Sequence, residues 1–144
     1  MFSLGANVTG VLTEGSAASQ NTPGDWSGSV SYISPKKGYW IIVTNSDSLC
    51  LENASPTESD IVYSLHSGAN LISFPSSLSV NVSDALPDEI ESFVTGVLTE
   101  GSAASQDDLG DWSGSLSAFS GGKGYWVITT EGIIFSFNLT RLAE

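Results

Sequence analysis

The sequence predicts an all-β protein, a sandwich or barrel with internal pseudo-repeat symmetry and a minor helix at 83–93. Three observations carry this expectation. The stretch VTGVLTEGSAASQ occurs at 8–20 and again at 94–106 without a substitution. Aligned at an offset of 86, residues 8–44 match 94–130 without gaps, with 27 identities in 37 positions. Within that unit the apolar residues recur with the period of two that a strand requires. Tandem duplication of one supersecondary unit explains the pattern.

A chain of 144 residues suits one ordinary domain or two small ones. The repeat divides it into 1–60, an incomplete copy 1, and 61–144, a complete copy 2, either as two units or as one joint domain. Identity concentrates in VTGVLTEGSAASQ, in GDWSGS (24–29 and 110–115) and in KGYW (37–40 and 123–126). Differences fall at NTP against DDL and at YISPK against AFSGG, where Pro and Gly mark loops and substitution is cheap.

The elements follow in order. TEGSAAS reads as an ordered loop. WSGSVSY and WSGSLSA alternate small or apolar residues with Ser, placing Trp26, Gly28, Val30 and Tyr32 on one face of a half-buried strand. GYWIIVT and GYWVITT are apolar on both faces and so predict a central strand covered on both sides. PKKG and GGKG before them read as tight turns, with Gly38 and Gly124 supplying positive φ or a close approach. IVYSLH, SGA and NLISFP predict a hairpin over 61–75, and GIIFSF (132–137) looks like the partner of DIVYSLH. The one helical signal is VSDALPDEIESF at 82–93, with Ser83 as the cap and Leu86, Ile90 and Phe93 on one face. Pro87 limits it to two short pieces or one short helix.

The copies are unequal. NLISFP and the helix precede copy 2, whereas copy 1 follows MFSLGAN, an echo of YSLHSGAN at 63–70. Copy 1 carries in turn the extra DSLCLENASPTE at 47–58. Copy 1 therefore lacks a strand that its own core needs, and an unpaired edge beside a two-sided apolar strand invites pairing. Either NLISFP is shared by both halves or a neighbouring chain donates a strand; self-association through a strand edge is expected.

Charge narrows the partners. Sixteen acidic side chains face four basic ones, for a net charge of −12, and only 14% of residues are charged. That balance opposes binding to nucleic acid or anionic lipid. No apolar run reaches the roughly 18–20 residues of a membrane-spanning helix, so no membrane insertion is expected. MFSLGANVTG lacks a basic n-region and does not read as a signal peptide. A surface of Ser, Thr, Asn and Gly fits an extracellular or virion-surface location within a larger protein. Cys50 is the only cysteine, which rules out an intrachain disulfide, and with the only histidine, His66, it makes a weak dyad. Sequons at Asn7, Asn53, Asn81 and Asn138 carry little weight in so Ser- and Thr-rich a chain.

Three sets of residues are candidate sites. Trp26 and Trp112 follow a Gly-Asp turn, where a ring facing solvent can stack on a sugar; core is the competing and favoured reading for them, as it is for Trp40 and Trp126. Asp107, Asp108 and Asp111 offer clustered oxygens for calcium or simply form a solvated acidic loop, which the spacing, unlike that of an EF-hand, favours; copy 1 has the weaker Asn21, Thr22 and Asp25. Glu14 and Glu100 make a glycosidase-like carboxylate pair on paper, yet their duplicated setting favours structural roles.

The series GANLISFP, VTGVLTEGSAAS, DWSGSL and GKGYW resembles a recurring module of marine bacterial and marine phage proteins, in which NLISFP, GEGxAA, WxGSL and GKGYW follow one another in this order. The resemblance covers 61–137 in full and 8–44 as a partial copy. It implies a surface-exposed, noncatalytic β module appended to larger proteins or virion parts, and it brings no catalytic residues and no defined ligand. The function expected is assembly or binding, with carbohydrate binding through Trp and hydrolysis through the loop Glu residues as alternatives.

Overall fold

The computed structural model describes residues 5–47, 58 and 60–139. Cys50 and Asn53 lie outside the described residues. Copy 1 forms β1 (Val8–Thr13), β2 (Ser16–Thr22), β3 (Asp25–Gly28) and β4 (Trp40–Val43). Then come β5 (Tyr63–Leu65), β6 (Gly68–Ile72), β7 (Ser79–Asn81), α1 (Val82–Ala85) and α2 (Asp88–Glu91). The second repeat forms β8 (Val94–Thr99), β9 (Ser102–Gln106), β10 (Trp112–Gly114), β11 (Ala118–Ser120) and β12 (Tyr125–Thr129), and β13 (Ile133–Phe135) follows. The protein is all-β, built of antiparallel sheets packed together in the manner of a sandwich.

TEGSAAS is a hairpin rather than a loop. Thr13 pairs with Ser16 and Thr99 with Ser102, leaving Glu-Gly as a two-residue turn. Gly15 and Gly101 hold φ of 73° and 80°, which glycine adopts without a Cβ penalty. WSGSVSY is also shorter as a strand than its alternation predicts. A Cβ at Gly28 would stand 2.3 Å from the Ala17 carbonyl oxygen, and one at Gly114 2.3 Å from that of Ala103. The chain leaves the sheet there with φ near 130°, so Tyr32 does not join the face of Trp26 but stands 78% exposed. The second glycine of GDWSGS, shared by both copies, thus has a packing cause.

Strand order is β3-β2-β1-β4 in one sheet and β10-β9-β8-β12-β6 in the other. The first four strands correspond, and the difference is β6. It makes β12 the central strand that the two-sided apolar sequence predicts, with Tyr125 and Val127 fully buried. β4 departs from the same expectation: among the described residues it pairs only with β1, and all four of its residues are exposed.

β5 and β6 do not form the expected hairpin. β5 pairs with β13 while β6 pairs with β12, so His66 and Ser67 carry the chain from one sheet to another. Asn70, 3% exposed, holds that step: its Oδ1 accepts from His66 N–H and its Nδ2 donates to the carbonyls of His66, Gly68 and Val127. The expected pairing of GIIFSF with the IVYSLH segment is present. The helical segment splits at Pro87 into two single turns, with Asn81 rather than Ser83 at the first N-cap and no side-chain cap. Leu86 is buried and Ile90 and Phe93 pack against the same core.

That core belongs to copy 2. Phe74, Phe119, Tyr125, Phe135 and Phe137 with Tyr63 make a cluster of rings with centroids 4.8–5.8 Å apart. The copy 1 cluster among the described residues is smaller: Val8, Val11, Ala18 and Val30, flanked by Trp26 and Tyr39.

Candidate functional site

β4 places apolar side chains on an edge that no second strand pairs among the described residues. Trp40 and Ile42 project to one face and Ile41 and Val43 to the other, each 41–51% exposed. At the corresponding positions of β12, Val127 is fully buried and Thr129 is 4% exposed, because β6 closes the edge and the aromatic cluster covers the face. Trp40 is therefore not the core residue its sequence suggests, and Trp126 is half-buried.

The segment just before β4 meets the end of β6. Lys37 bridges Ile72, Gly38 N–H donates to the Leu71 carbonyl at 3.2 Å, and Ser73 N–H donates to the Lys36 carbonyl at 3.2 Å. NLISFP is thus shared, through Leu71, Ile72 and Ser73. The strands then splay apart, and Glu14 fills the gap. Its Oε2 accepts the Leu71 N–H at 3.4 Å, and its Oε1 pairs with His66 Nε2. His66 Nδ1 faces the Ser67 carbonyl at 2.7 Å. Both ring nitrogens face acceptors, so the imidazolium, with two N–H donors, suits the site better than the neutral ring. The Ser67 carbonyl and then Glu14 raise the His66 pKa above its ordinary value.

Beside this junction lies a cleft of about 420 Å³. Tyr39, Trp40 and Ile41 form one side and Glu100, Lys123 and Gly124 the other, with Leu71 and Trp126 also lining it. The cleft therefore joins both copies, and it contains an exposed apolar strand edge, a carboxylate and a lysine.

The residues singled out from the sequence scatter. Trp26 and Trp112 are half-buried, each packed against its own copy's core, and Trp112 Nε1–H donates to Glu91 at 2.8 Å. Glu14 and Glu100 serve different places, Glu14 the β6 junction and Glu100 the cleft. Asp107 shapes its own hairpin, its Oδ1 accepting from the N–H groups of Leu109 and Asp111 at 2.9 Å each. The described residues contain no group of three or more His, Cys, Asp or Glu able to hold a metal. Asp107 thus closes its loop as an Asx-type turn.

Sequence reasoning missed Trp40, Lys123 and Trp126 as site residues. The signal that could have found them was the missing NLISFP counterpart, which exposes the segment following KKG. No helix among the described residues is long and apolar enough to cross a membrane. Comparisons with protein-family models, curated proteins and solved structures find no match.

Proposed function

We propose that the chain is a noncatalytic β module for assembly, working on an extracellular or virion surface and self-associating through the free edge of β4. One observation carries the reading: Trp40, Ile41, Ile42 and Val43 stand exposed on an unpaired edge among the described residues, while their counterparts in β12 lie between two strands. Unpaired N–H and C=O groups beside apolar side chains template another strand. Two β4 strands pairing antiparallel would join two sheets about a twofold axis and bury this apolar surface, worth about 0.8 kcal/mol per CH₂. The charge of −12 limits indiscriminate aggregation, so a specific contact is favoured over precipitation. The test is molar mass by light scattering over a concentration series. A defined oligomer lost in Ile41→Lys supports the reading, and one chain mass at every concentration removes self-association.

A second reading, glycan binding, is favoured by Trp40 and Trp126 lining one cleft with Thr99, Glu100 and Lys123. Half-exposed indole beside polar groups is the surface on which sugar rings stack. Trp26 and Trp112 support it less, being packed against the cores. A glycan whose affinity falls in Trp40→Ala but not in Trp26→Ala would favour this reading over assembly.

A further inference from the structure

We propose that the cleft is a strand slot, built like the one that β6 fills, and that its occupant is an extended segment from outside these 144 residues bearing the Gly-Ala-Asn-Leu-Ile pattern of Gly68–Ile72. The proposal deepens the assembly reading, on which it rests for the availability of the β4 edge.

The filled slot is the template. On one side of β6, Tyr125, Trp126 and Val127 pair with Ile72, Leu71 and Asn70. On the other, Lys37 bridges Ile72, Gly38 N–H bonds the Leu71 carbonyl, and Glu14 accepts the Leu71 N–H. Six residues from two copies thus hold three residues of strand. Moving each by the repeat offset of 86 gives Tyr39, Trp40, Ile41, Lys123, Gly124 and Glu100. All six line the cleft. The residue types are conserved between the slots, with Val127 against Ile41 the only change.

The chemistry matches position by position. β4 presents the same backbone edge that β12 presents to β6. Gly124 has room for a close backbone approach because it lacks a Cβ, as Gly38 does where it meets Leu71 and Ile72. Glu100 is exposed and offers the carboxylate that Glu14 gives to a strand N–H. Thr99 donates to the Gly124 carbonyl at 2.8 Å as Thr13 does to that of Gly38 at 2.7 Å, so the loop on each side of the slot is braced in the same way.

The donor lies outside these 144 residues by count. Gly-Ala-Asn-Leu-Ile occurs once in the sequence, and Gly5-Ala6-Asn7 runs straight into β1. One strand cannot fill two slots, so exchange of β6 among identical copies leaves as many slots open as before.

The experiment is fluorescence anisotropy with a labelled peptide spanning Ser67–Pro75 (SGANLISFP), together with molar mass measured with and without it. Saturable binding is expected. Ile41→Lys and a Leu71→Pro peptide should each weaken it by about tenfold or more, and Glu100→Gln by about threefold. Ile134→Lys, on the exposed face of β13, should leave it unchanged. An oligomer that forms but neither binds the peptide nor is dissociated by it points to β4 pairing with β4; that overturns the slot and keeps the assembly reading. A single-chain mass with peptide binding of the expected pattern supports the slot and removes self-association. Absence of both, or binding indifferent to Ile41→Lys and to Leu71→Pro, overturns the slot.

Discussion

Gly38 and Gly124, equivalent residues of the two copies, meet backbone to backbone. A Cβ on Gly38 would stand 3.1 Å from the Gly124 Cα, and one on Gly124 3.2 Å from that of Gly38. Neither glycine has positive φ; the requirement is close approach. The repeated KGYW is thus a joint between copies as well as the start of a strand.

Gly38→Ala tests that joint. The new methyl would lie 2.8 Å from the Ile72 carbonyl oxygen and 2.9 Å from Leu71 Cδ1. Overpacking of this kind costs about 1–3 kcal/mol. Urea unfolding should show that loss, whereas Gly124→Ala, whose nearest contacts begin at 3.2 Å, should lose less.

The same substitution in the two copies should have opposite consequences. Ile41→Lys places its charge on an exposed edge and should change stability by less than about 0.5 kcal/mol. Val127→Lys buries an unpaired charge in the aromatic core and should cost more than about 4 kcal/mol. Thermal denaturation of both variants decides the matter; equal losses would mean that β4 is covered in solution.

His66 and Glu14 make the β6 junction sensitive to pH. The folded pKa of His66 lies above its unfolded value of 6.5. The stabilisation is therefore fully present below pH 6.5 and is lost as pH rises through the folded value. Proton NMR of the single imidazole should show the raised pKa in the native chain and a lower one in Glu14→Gln. An unchanged value in the variant would leave the Ser67 carbonyl as the sole cause.

Asp107 should act without metal. Asp107→Ala removes the acceptor of two backbone N–H groups and should cost about 1 kcal/mol, with Asp107→Asn nearer to native. Adding calcium or a chelator should leave the melting temperature unmoved, and a rise with calcium would restore a metal role for the loop.

Much of the architecture was legible in the residues. Two-sided apolarity in GYWVITT identified β12 as central, and the match of GIIFSF to the IVYSLH segment anticipated the pairing of β13 with β5. The errors have local causes. SAAS carries small residues that suit a loop as well as a strand, and it became β2 only because Gly15 closed a two-residue turn against β1. IVYSLH and NLISFP read as a hairpin because both are strands a turn apart, but periodicity does not reveal which sheet a strand enters. Asn70 redirects the chain at that step.

By itself the sequence determined that the segment 8–44 recurs at 94–130, which glycines and aromatics the two segments share, and that NLISFP stands before only the second of them. These are matters of period, identity and length, readable along the chain. Only the tertiary structure decided that, among the described residues, GYWIIVT is an edge and GYWVITT a centre, although seven-residue patterns so alike carry the same local preference. The difference is whether β6 lies beside them, and one strand, placed by its pairing with β12 and its anchorage at Lys37, Gly38 and Glu14, fills one slot of the two.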